Sequence, residues 1–568
     1  MRQGLRLHHL PLFQFLVRLP SHINRWVFGC VVAVSACLHL FFAWHQPFTN
    51  DEGAYLYDAR AILLGKLPAG DVLTKTPVSV LFFSIGEFLT QYSLFAARGV
   101  NIVVSMMTVI PIFLLVRIIA SKKSATYAIY FWLLGSGPIL FYTIGHTQAI
   151  ASLFSVLSLL FWLKGIREKK KVFQMFICAG VCFALAFATR KIAIALFVPY
   201  AVSLFLYRDS SVTFQRVLGA WITGAGIVFA VWGLSIADLY GNPGVWQLIG
   251  GAYGDIVSRN VSYPESITSW GGGTERFFIT ALRAGTVYGV GFTIAIGIVG
   301  MGISKHVGVL YGRIIFGALT CISFGIAGVA FRSTALLGLV WILTGVFCMW
   351  WAWRQPTLSF VGRHVVIPLS YIVTLALLYS LWPVLLPEYI GDFLVPSTML
   401  CAIALASYAS RTLVIRLAFV LLLLGSMASM ESVRNIPWTG MFKRESIESA
   451  ARVLRQDVAY KEKIFTAAVI IPYISGHEVP FTIAHPQWYA YTFISEEDRD
   501  EFLPSRDLLE DEVQKRVHWK IGDQLTDYAY SGIGGESWEL RHIIPNNAIY
   551  RDNPIRIYSK VAEGGESR

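Results

Sequence analysis

Two adjacent carboxylates, Asp51 and Glu52, stand directly after an apolar stretch near the N-terminus of this 568-residue chain. A carboxylate at the edge of a low-dielectric region has a raised pKa, which suits it to accept a proton from a hydroxyl group. Acids in the first turn of a helix also cap the helix and interact favourably with its dipole. The residue types alone leave these two roles, general base and helix cap, as equal alternatives.

The residues after the acid pair fit a helix that lies along a membrane interface. Tyr55 and Asp58 continue a helix-compatible pattern that ends in the apolar run at 62–64. Farther along, Lys75 precedes Pro77 and a second apolar segment. A cation there can bind a lipid-linked phosphate or can anchor the helix by extending its amine to the interface. On the residues alone, the anchor is the better interpretation.

The composition indicates the environment in which these residues lie. The chain is 55% hydrophobic and 14% charged, so a soluble fold cannot bury its apolar surface, and we predict a polytopic membrane protein. The net charge of +12 comes from basic residues in short loops, which set topology and do not indicate a nucleic-acid partner. All seven cysteines lie within apolar segments, which argues against a disulfide framework or a zinc site.

Apolar runs of roughly 17 to 25 residues are long enough to cross the hydrocarbon core as helices. Thirteen such runs are present, near 26–44, 94–119, 123–142, 146–164, 173–189, 191–207, 217–239, 281–303, 309–331, 334–352, 365–385, 390–408 and 412–430. The stretch from 77 to 91 is too short to cross and contains Glu87, so we interpret it as a re-entrant or interfacial helix.

Basic residues concentrate in alternate loops, and the positive-inside rule places those loops in the cytoplasm. The N-terminus is then inside and the C-terminus outside. Residues 1–25 are predicted to be cytoplasmic, and 26–430 to form the transmembrane domain. The loop at 45–93 and the polar region at 431–568 are predicted to be extracytoplasmic.

The polar C-terminal region reads as a small α/β domain. It contains a helix-like run at 445–456, a strand-like run at 463–471 and a second charged helical run at 508–516. A docking cap without chemistry is the favoured interpretation of this domain.

The ordered residues from Asp51 to Pro77 resemble the N-terminal signature of the membrane glycosyltransferases with the GT-C fold. The resemblance is strongest to the branch that contains the lipid A aminoarabinose transferases and the bacterial dolichyl-phosphate-mannose-type protein mannosyltransferases. The matching residues are Asp51, Glu52, Tyr55, Ala59, Arg60, Gly65, Pro68, Asp71, Lys75 and Pro77. The thirteen spans and the external C-terminal domain agree with this resemblance more loosely.

The resemblance implies an inverting transferase that takes a hexose or pentose from a polyprenyl-phosphate carrier at the outer face of the cytoplasmic (inner) membrane. Asp51 is then the base that deprotonates the acceptor hydroxyl, with Glu52 beside it, and Lys75 binds the donor phosphate. Tyr55 and Arg60 are expected to contact the substrate. The acceptor is a glycolipid, a polysaccharide or a protein. A phosphate leaving group needs charge stabilisation and not a protein acid, which fits one carboxylate with several cations.

The chain departs from the family pattern at two places. Thr76 stands where relatives usually have the first proline of Lys-Pro-Pro, and Gln148 stands where a second acid is common. Gln148 can orient a substrate through hydrogen bonds but cannot accept a proton. The second acid is therefore supplied from elsewhere, for example by Asp58, or the enzyme relies on Asp51 alone.

Two further clusters are candidates for substrate binding. Arg190 and Lys191 break the positive-inside pattern, and charges of this kind at a membrane edge are typical of functional sites, so we predict that they bind the donor phosphate. The segment around Tyr389 and Asp392 resembles the aromatic and acidic segment that closes the family's cavity, and both residues are predicted substrate contacts.

Two other functions remain open. A transporter or flippase for a lipid-linked sugar would require paired charges within several spans, and the sequence shows no such acid partners. A non-catalytic membrane scaffold would keep the fold and use the external domain for partners. No cofactor is implied, although Asp51, Glu52 and Asp71 have the oxygen ligands that a divalent cation prefers.

Overall fold

The computed structural model describes residues 25–65, 77–167, 171–207, 214–246, 360–380, 387–408, 442–460, 462–466, 468–479, 517–522, 538–546 and 554–561. Its α-helices are α1 Arg25–His45, α2 Asn50–Leu63, α3 Pro77–Thr90, α4 Ala96–Ile119, α5 Lys122–Leu134, α6 Ser136–Phe141, α7 Gln148–Arg167, α8 Val172–Thr189, α9 Phe197–Tyr207, α10 Phe214–Trp246, α11 Phe360–Ser380, α12 Leu394–Tyr408, α13 Arg444–Asp457 and α14 Ile470–Ser475. Two 3₁₀ helices, Lys191–Leu196 and Pro387–Phe393, precede α9 and α12. The strands are β1 Lys463–Phe465, β2 Val517–Gly522, β3 Trp538–Ile544 and β4 Ile555–Lys560.

Within the described ranges, five helices are long and apolar enough to cross a membrane, and all five coincide with predicted spans. They are Trp26–His45, Ala96–Ile119, Gln148–Arg167, Val172–Thr189 and Phe214–Val231. The predicted spans near 281–303, 309–331, 334–352 and 412–430 lie outside the described residues, so the count of thirteen and the topology stay predictions. The helices as a set are those of a multi-pass membrane protein.

The prediction of one span at 123–142 is wrong, because that run is divided between α5 and α6. Gly135 separates the two helices with an extended backbone (φ −71°, ψ 136°). Pro138 follows in the first turn of α6, and its nitrogen cannot donate the hydrogen bond that would continue α5. The chain therefore turns here.

Helix α3 has the length expected of a re-entrant or interfacial helix. It has 14 residues, fewer than the roughly 20 that a crossing needs. Pro77 is its first residue, where the missing N–H is not required. After α3, Gln91 and Tyr92 adopt positive φ values of 42° and 55°, and this left-handed turn leads the chain into α4.

The helix bundle is packed closely through glycines on α8 and α10. A Cβ on Gly180 would clash with the carbonyl oxygen of Trp221, and a Cβ on Gly224 would clash with the carbonyl oxygen of Ile177. Small residues let two helix backbones approach in this way in membranes.

The described C-terminal residues form a four-stranded sheet in the order β1-β2-β4-β3. The β1–β2 pair is parallel, and the other two pairs are antiparallel. Helix α13 covers the helix-like run at 445–456, and its residues Ile447, Ala450 and Leu454 are buried. The second helical run, at 508–516, lies outside the described residues.

The prediction of a strand over 463–471 is wrong beyond Phe465. Thr466 Oγ1 accepts a hydrogen bond from the Ala468 nitrogen, which turns the chain, and α14 begins at Ile470. Pro472 cannot donate to a strand ladder but fits the first turn of a helix.

We predict that Gly180→Ala destabilises the protein by about 1–3 kcal/mol, because the added methyl group forces the α8 and α10 backbones apart. Thermal unfolding in detergent measures the effect as a lower Tm. The control is Gly226→Ala on α10, where a Cβ would meet no atom within 4 Å. Equal Tm values for the two variants would show that the α8–α10 contact is not tight.

Candidate active site

Helix α2 begins at a capping box that contains one of the two acids. Thr49 is the N-cap residue, and its Oγ1 accepts a hydrogen bond of 3.3 Å from the Glu52 nitrogen. Glu52 Oε2 accepts one of 3.0 Å from the Thr49 nitrogen in return. Of the two roles considered for the acid pair, the cap therefore holds for Glu52.

Glu52 is also one half of a buried ion pair with Arg98 on α4. The guanidinium binds the carboxylate with two bonds, Nε to Oε1 at 2.7 Å and Nη2 to Oε2 at 2.8 Å. The Gly145 nitrogen donates to Oε1 at 2.6 Å. Burial tends to raise the pKa of Glu52, but the charge and hydrogen bonds of Arg98, the nearby His146 and the Gly145 amide together hold the pKa below its ordinary value.

Arg98 was not among the residues predicted from the sequence, yet it holds the segment that leads into α2. Its Nη1 donates to the carbonyl oxygens of Ala43 and Gln46 at 2.6 and 2.9 Å, and its Nη2 donates to that of Pro47 at 2.7 Å. The side chain is fully buried. An arginine inside a predicted span was the available signal, because such charges are rare and usually paired.

Asp51 lies in a different environment from its neighbour. It is half-buried in the first turn of α2, while Glu52 is 1% exposed and accepts hydrogen bonds on both carboxylate oxygens. The adjacent acids are thus divided into one that is fixed by Arg98 and one that retains contact with solvent.

Tyr55 and Asp58 lie on the same side of α2 as Asp51, since positions i, i+4 and i+7 share a helix face. We call these three residues the acidic face. Tyr55 packs between His146 and Phe83, with ring centroids 6.4 and 5.9 Å away. Asp58 is 1% exposed.

The segment between α6 and α7 joins α2 to a second polar cluster. His146 Nε2 and Thr49 Oγ1 are 2.7 Å apart, which ties the segment to the N-cap. Asn101 Nδ2 donates to the His146 carbonyl oxygen at 2.7 Å. The next residue, Thr147, accepts a hydrogen bond of 3.2 Å from Arg190 Nη1. Of these two consecutive residues, His146 contacts the start of α2, and Thr147 contacts Arg190, which is predicted to bind the donor phosphate.

Arg190 contacts the segment around Tyr389 and Asp392, which the sequence analysis predicts to contact the substrate. Its Nη2 pairs with Asp392 Oδ2 at 2.8 Å, and Tyr379 Oη donates to the same oxygen at 2.5 Å. The guanidinium carbon lies 5.7 Å from the Tyr389 ring centroid, and that ring stacks on Tyr379. The 3₁₀ helix at 387–393 thus meets Arg190 through Asp392 and Tyr389.

Gln148 faces this 3₁₀ helix as well. It is buried at the start of α7, and a Cβ on Gly391 would lie 3.1 Å from its Cγ. Tyr142 Oη donates to the Gly391 carbonyl oxygen at 2.9 Å and fixes the same contact. The structure therefore brings together predicted site residues from four separate segments, namely Glu52 and Tyr55, Gln148, Arg190, and Tyr389 with Asp392.

The remaining predicted residues lie elsewhere or outside the described ranges. Lys191 Nζ is 4.7 Å from the ring centroid of Phe187, which lines an apolar groove of about 370 Å³ between α8, α9 and α10. Arg60 contacts Glu87 and Tyr92. Lys75 and Asp71 lie in the undescribed stretch 66–76. Among the residues that are described, no three His, Cys, Asp or Glu side chains form a group able to hold a metal ion.

We predict that Glu52→Gln destabilises the protein by about 3–5 kcal/mol, because it leaves the Arg98 charge buried and unbalanced. Thermal unfolding in detergent measures the loss, and Glu448→Gln, which removes a more exposed acid paired with Arg444, is the matched control.

The pH dependence of the Tm supplies a second measurement on the same variant. Since the pKa of Glu52 is lower in the folded protein than its ordinary 4.5, the ion pair stabilises fully above about pH 4.5. That contribution is lost as the pH falls through the lower folded value. Wild type and Glu52→Gln should therefore converge in acid, and a constant difference between them would contradict the assignment.

Comparisons with known proteins bear on the fold of the chain. Residues 74–234 match the family model described as dolichyl-phosphate-mannose-protein mannosyltransferase. No curated protein matches the sequence. Among solved structures, the chain is similar to ArnT from Cupriavidus metallidurans bound to undecaprenyl phosphate, with a TM-score of 0.58 and 12% identity over 95% of this chain and 98% of that one.

Two more solved structures are similar to a lesser degree. ArnT from the same organism in the apo state gives a TM-score of 0.52 at 12% identity, over 94% of this chain and 98% of that one. The Archaeoglobus fulgidus oligosaccharyltransferase in complex with Zn and sulfate gives 0.48 at 13% identity, over 87% and 68%. The likeness to ArnT runs through nearly the whole of both chains. The chain therefore has the GT-C fold of the membrane glycosyltransferases, and it is similar to ArnT and to the dolichyl-phosphate-mannose-protein mannosyltransferases.

Proposed function

We propose that this protein transfers a sugar from a polyprenyl-phosphate donor to an acceptor hydroxyl at the outer face of the cytoplasmic membrane, with Asp51 as the general base. The fold and the match of residues 74–234 support a glycosyltransferase of the lipid-phosphate-dependent kind. The observation that carries the proposal is the division of the acid pair, in which Arg98 neutralises Glu52 and Asp51 remains half-buried beside it.

This division gives the two adjacent acids different roles, in which Glu52 supports the structure and Asp51 is the base. Two ionised carboxylates side by side repel each other, and each would raise the pKa of the other. Arg98 offsets that repulsion by pairing with Glu52, and Asp51 is the acid to which we assign the proton transfer. Glu52 then positions the first turn of α2 and does not itself take part in proton transfer.

The proposed step is a direct displacement. The acceptor oxygen attacks the anomeric carbon while the bond from that carbon to the phosphate oxygen breaks, which inverts the configuration. The bonding electrons leave with the polyprenyl phosphate, and Asp51 accepts the hydroxyl proton. No protein acid is needed for this leaving group, but cations are needed to stabilise its charge.

Arg190, Lys191 and Lys75 are the cations that we assign to the donor phosphate. Asp392 and Tyr379 hold the Arg190 guanidinium in one place, which suits a group that must meet a phosphate without rearranging. Lys191 contacts Phe187, which lines the apolar groove. A cation therefore lies next to a surface suited to an isoprenoid chain. Gln148, Tyr389 and Tyr55 remain proposed substrate contacts, whereas Arg60 contacts Glu87 and Tyr92. The acceptor class is a glycolipid, a polysaccharide or a protein.

We predict that Asp51→Asn lowers sugar transfer by at least about 100-fold, because the amide cannot accept the proton. Membranes that contain the protein are supplied with a panel of radiolabelled undecaprenyl-phosphate sugars, and the label is followed into lipid, glycan and protein fractions. Asp457→Asn, which changes an exposed acid in the C-terminal region, is the matched control. Undiminished transfer by Asp51→Asn would exclude Asp51 as the base. Failure of the folded wild type with every donor would favour the scaffold function.

We predict that Arg190→Gln raises the KM for the donor about tenfold or more, because a charge-assisted hydrogen bond to the phosphate is lost. This variant also leaves Asp392 without its cation, so Arg190→Gln/Asp392→Asn is measured beside it. The double variant keeps the raised KM if Arg190 binds the phosphate. Recovery of the wild-type KM in the double variant would show that Arg190 acts only as the partner of Asp392.

A further inference from the structure

Helix α2 has a second organised face, opposite the acidic face. Gly53, Tyr57 and Arg60 repeat at the same i, i+4 and i+7 spacing, and each stands two positions after a member of the acidic face. Two positions correspond to a rotation of about 200° around a helix axis. The two sets of residues therefore point away from each other.

The C-terminal region covers this second face at its first turn and at its middle. Gly53 lies against the backbone of Ile470, so closely that a Cβ would stand 2.7 Å from the Ile470 nitrogen. Tyr57 Oη accepts a hydrogen bond of 3.2 Å from the Val479 nitrogen. An antiparallel bridge between Phe48 and Phe442, with bonds of 2.9 and 2.8 Å, fixes the C-terminal region beside the start of α2.

The third contact is a buried polar chain at the end of α2. Arg60 Nη1 is 3.5 Å from Glu87 Oε1 on α3, and Tyr92 donates its backbone N–H to the same oxygen at 3.1 Å. Tyr473 of α14 donates its hydroxyl to the other oxygen, Glu87 Oε2. The Glu87 side chain is fully buried, so both of its oxygens depend on these protein donors.

We propose that α14 and the residues up to Val479 position α2 for catalysis, with Tyr473 as a positioning residue that acts through Glu87 and Arg60. This inference rests on the proposed function, since it assigns the C-terminal region a part in placing Asp51. It replaces the interpretation of that region as a docking cap without chemistry.

The physical reason is that a short helix does not hold its position by itself. Helix α2 has 14 residues, and isolated helices of that length are marginal in water. Arg98 and the segment at Gly145 hold its first turn from one side. Ile470, Val479 and the Glu87 chain contact another face of α2 along its whole length. A base displaced by about 1 Å loses much of its rate, so both supports are needed.

The test compares Tyr473→Phe with Tyr460→Phe, a change at a 75% exposed tyrosine of the same region. The phenylalanine at 473 keeps the ring and removes only the hydroxyl that donates to Glu87. Two readouts are taken on the full chain in detergent, the kcat and KM of label transfer from the undecaprenyl-phosphate sugar that the wild type uses, and amide hydrogen exchange of peptides that cover 50–63.

We expect Tyr473→Phe to increase amide exchange in 50–63 and to lower kcat about tenfold with the donor KM unchanged, the size expected when one hydrogen bond to a charged group is lost. Tyr460→Phe should match the wild type in both readouts. Unchanged exchange in Tyr473→Phe, or a kcat within twofold of an active wild type, would overturn the inference. If the wild type transfers no sugar, the proposed function fails, and the exchange measurement still decides whether Tyr473 holds α2.

Discussion

The buried ion pair between Glu52 and Arg98 is the interaction on which the rest of the site depends. Its two parallel hydrogen bonds join α2 to α4, and the other donors of Arg98 fix the carbonyl oxygens of the chain that enters α2. A buried charge pair of this kind is costly to desolvate, and removal of one partner leaves an unpaired buried charge. Here it specifies where the first turn of α2 lies and which of two adjacent acids pairs with the arginine.

The same helix links the membrane domain to the C-terminal region. One face of α2 meets His146 and Phe83 inside the bundle, and the opposite face meets Ile470 and Val479. A glycine at position 53 permits that close approach, because any larger residue would collide with the Ile470 backbone. The candidate base therefore sits on an element that two separate parts of the chain clamp from opposite sides. Such double support is what a proton-transfer geometry requires.

The site is assembled from segments that are distant in sequence. Thr147 and Gln148 lie between α2 on one side and the Arg190 cluster on the other. Gln148 packs against Gly391 of the 3₁₀ helix at 387–393. The amide at this position is compatible with the fold, and an amide cannot accept a proton.

Much of this protein was determined by its sequence. Apolar runs predicted the long helices, since twenty or so consecutive nonpolar residues have no other stable environment than lipid. The ordered residues from Asp51 to Pro77 indicated the GT-C fold. Local rules also located α13 and the short helix α3. They failed at 123–142 and at 463–471, where Gly135 and Pro472 changed the backbone within a run of suitable composition.

Only the tertiary structure decided which of the two acids pairs with a buried arginine. The residue types by themselves left the roles of cap and base open for Asp51 and Glu52, because the order of residues along a chain does not show which side chain meets a distant arginine. Arg98, Gly145 and Tyr473 contact the site from 46, 93 and 386 residues away in sequence, counted from Glu52 for the first two and from Glu87 for the third. Burial and charge pairing at such separations depend on how the helices pack, and packing is a property of the whole fold.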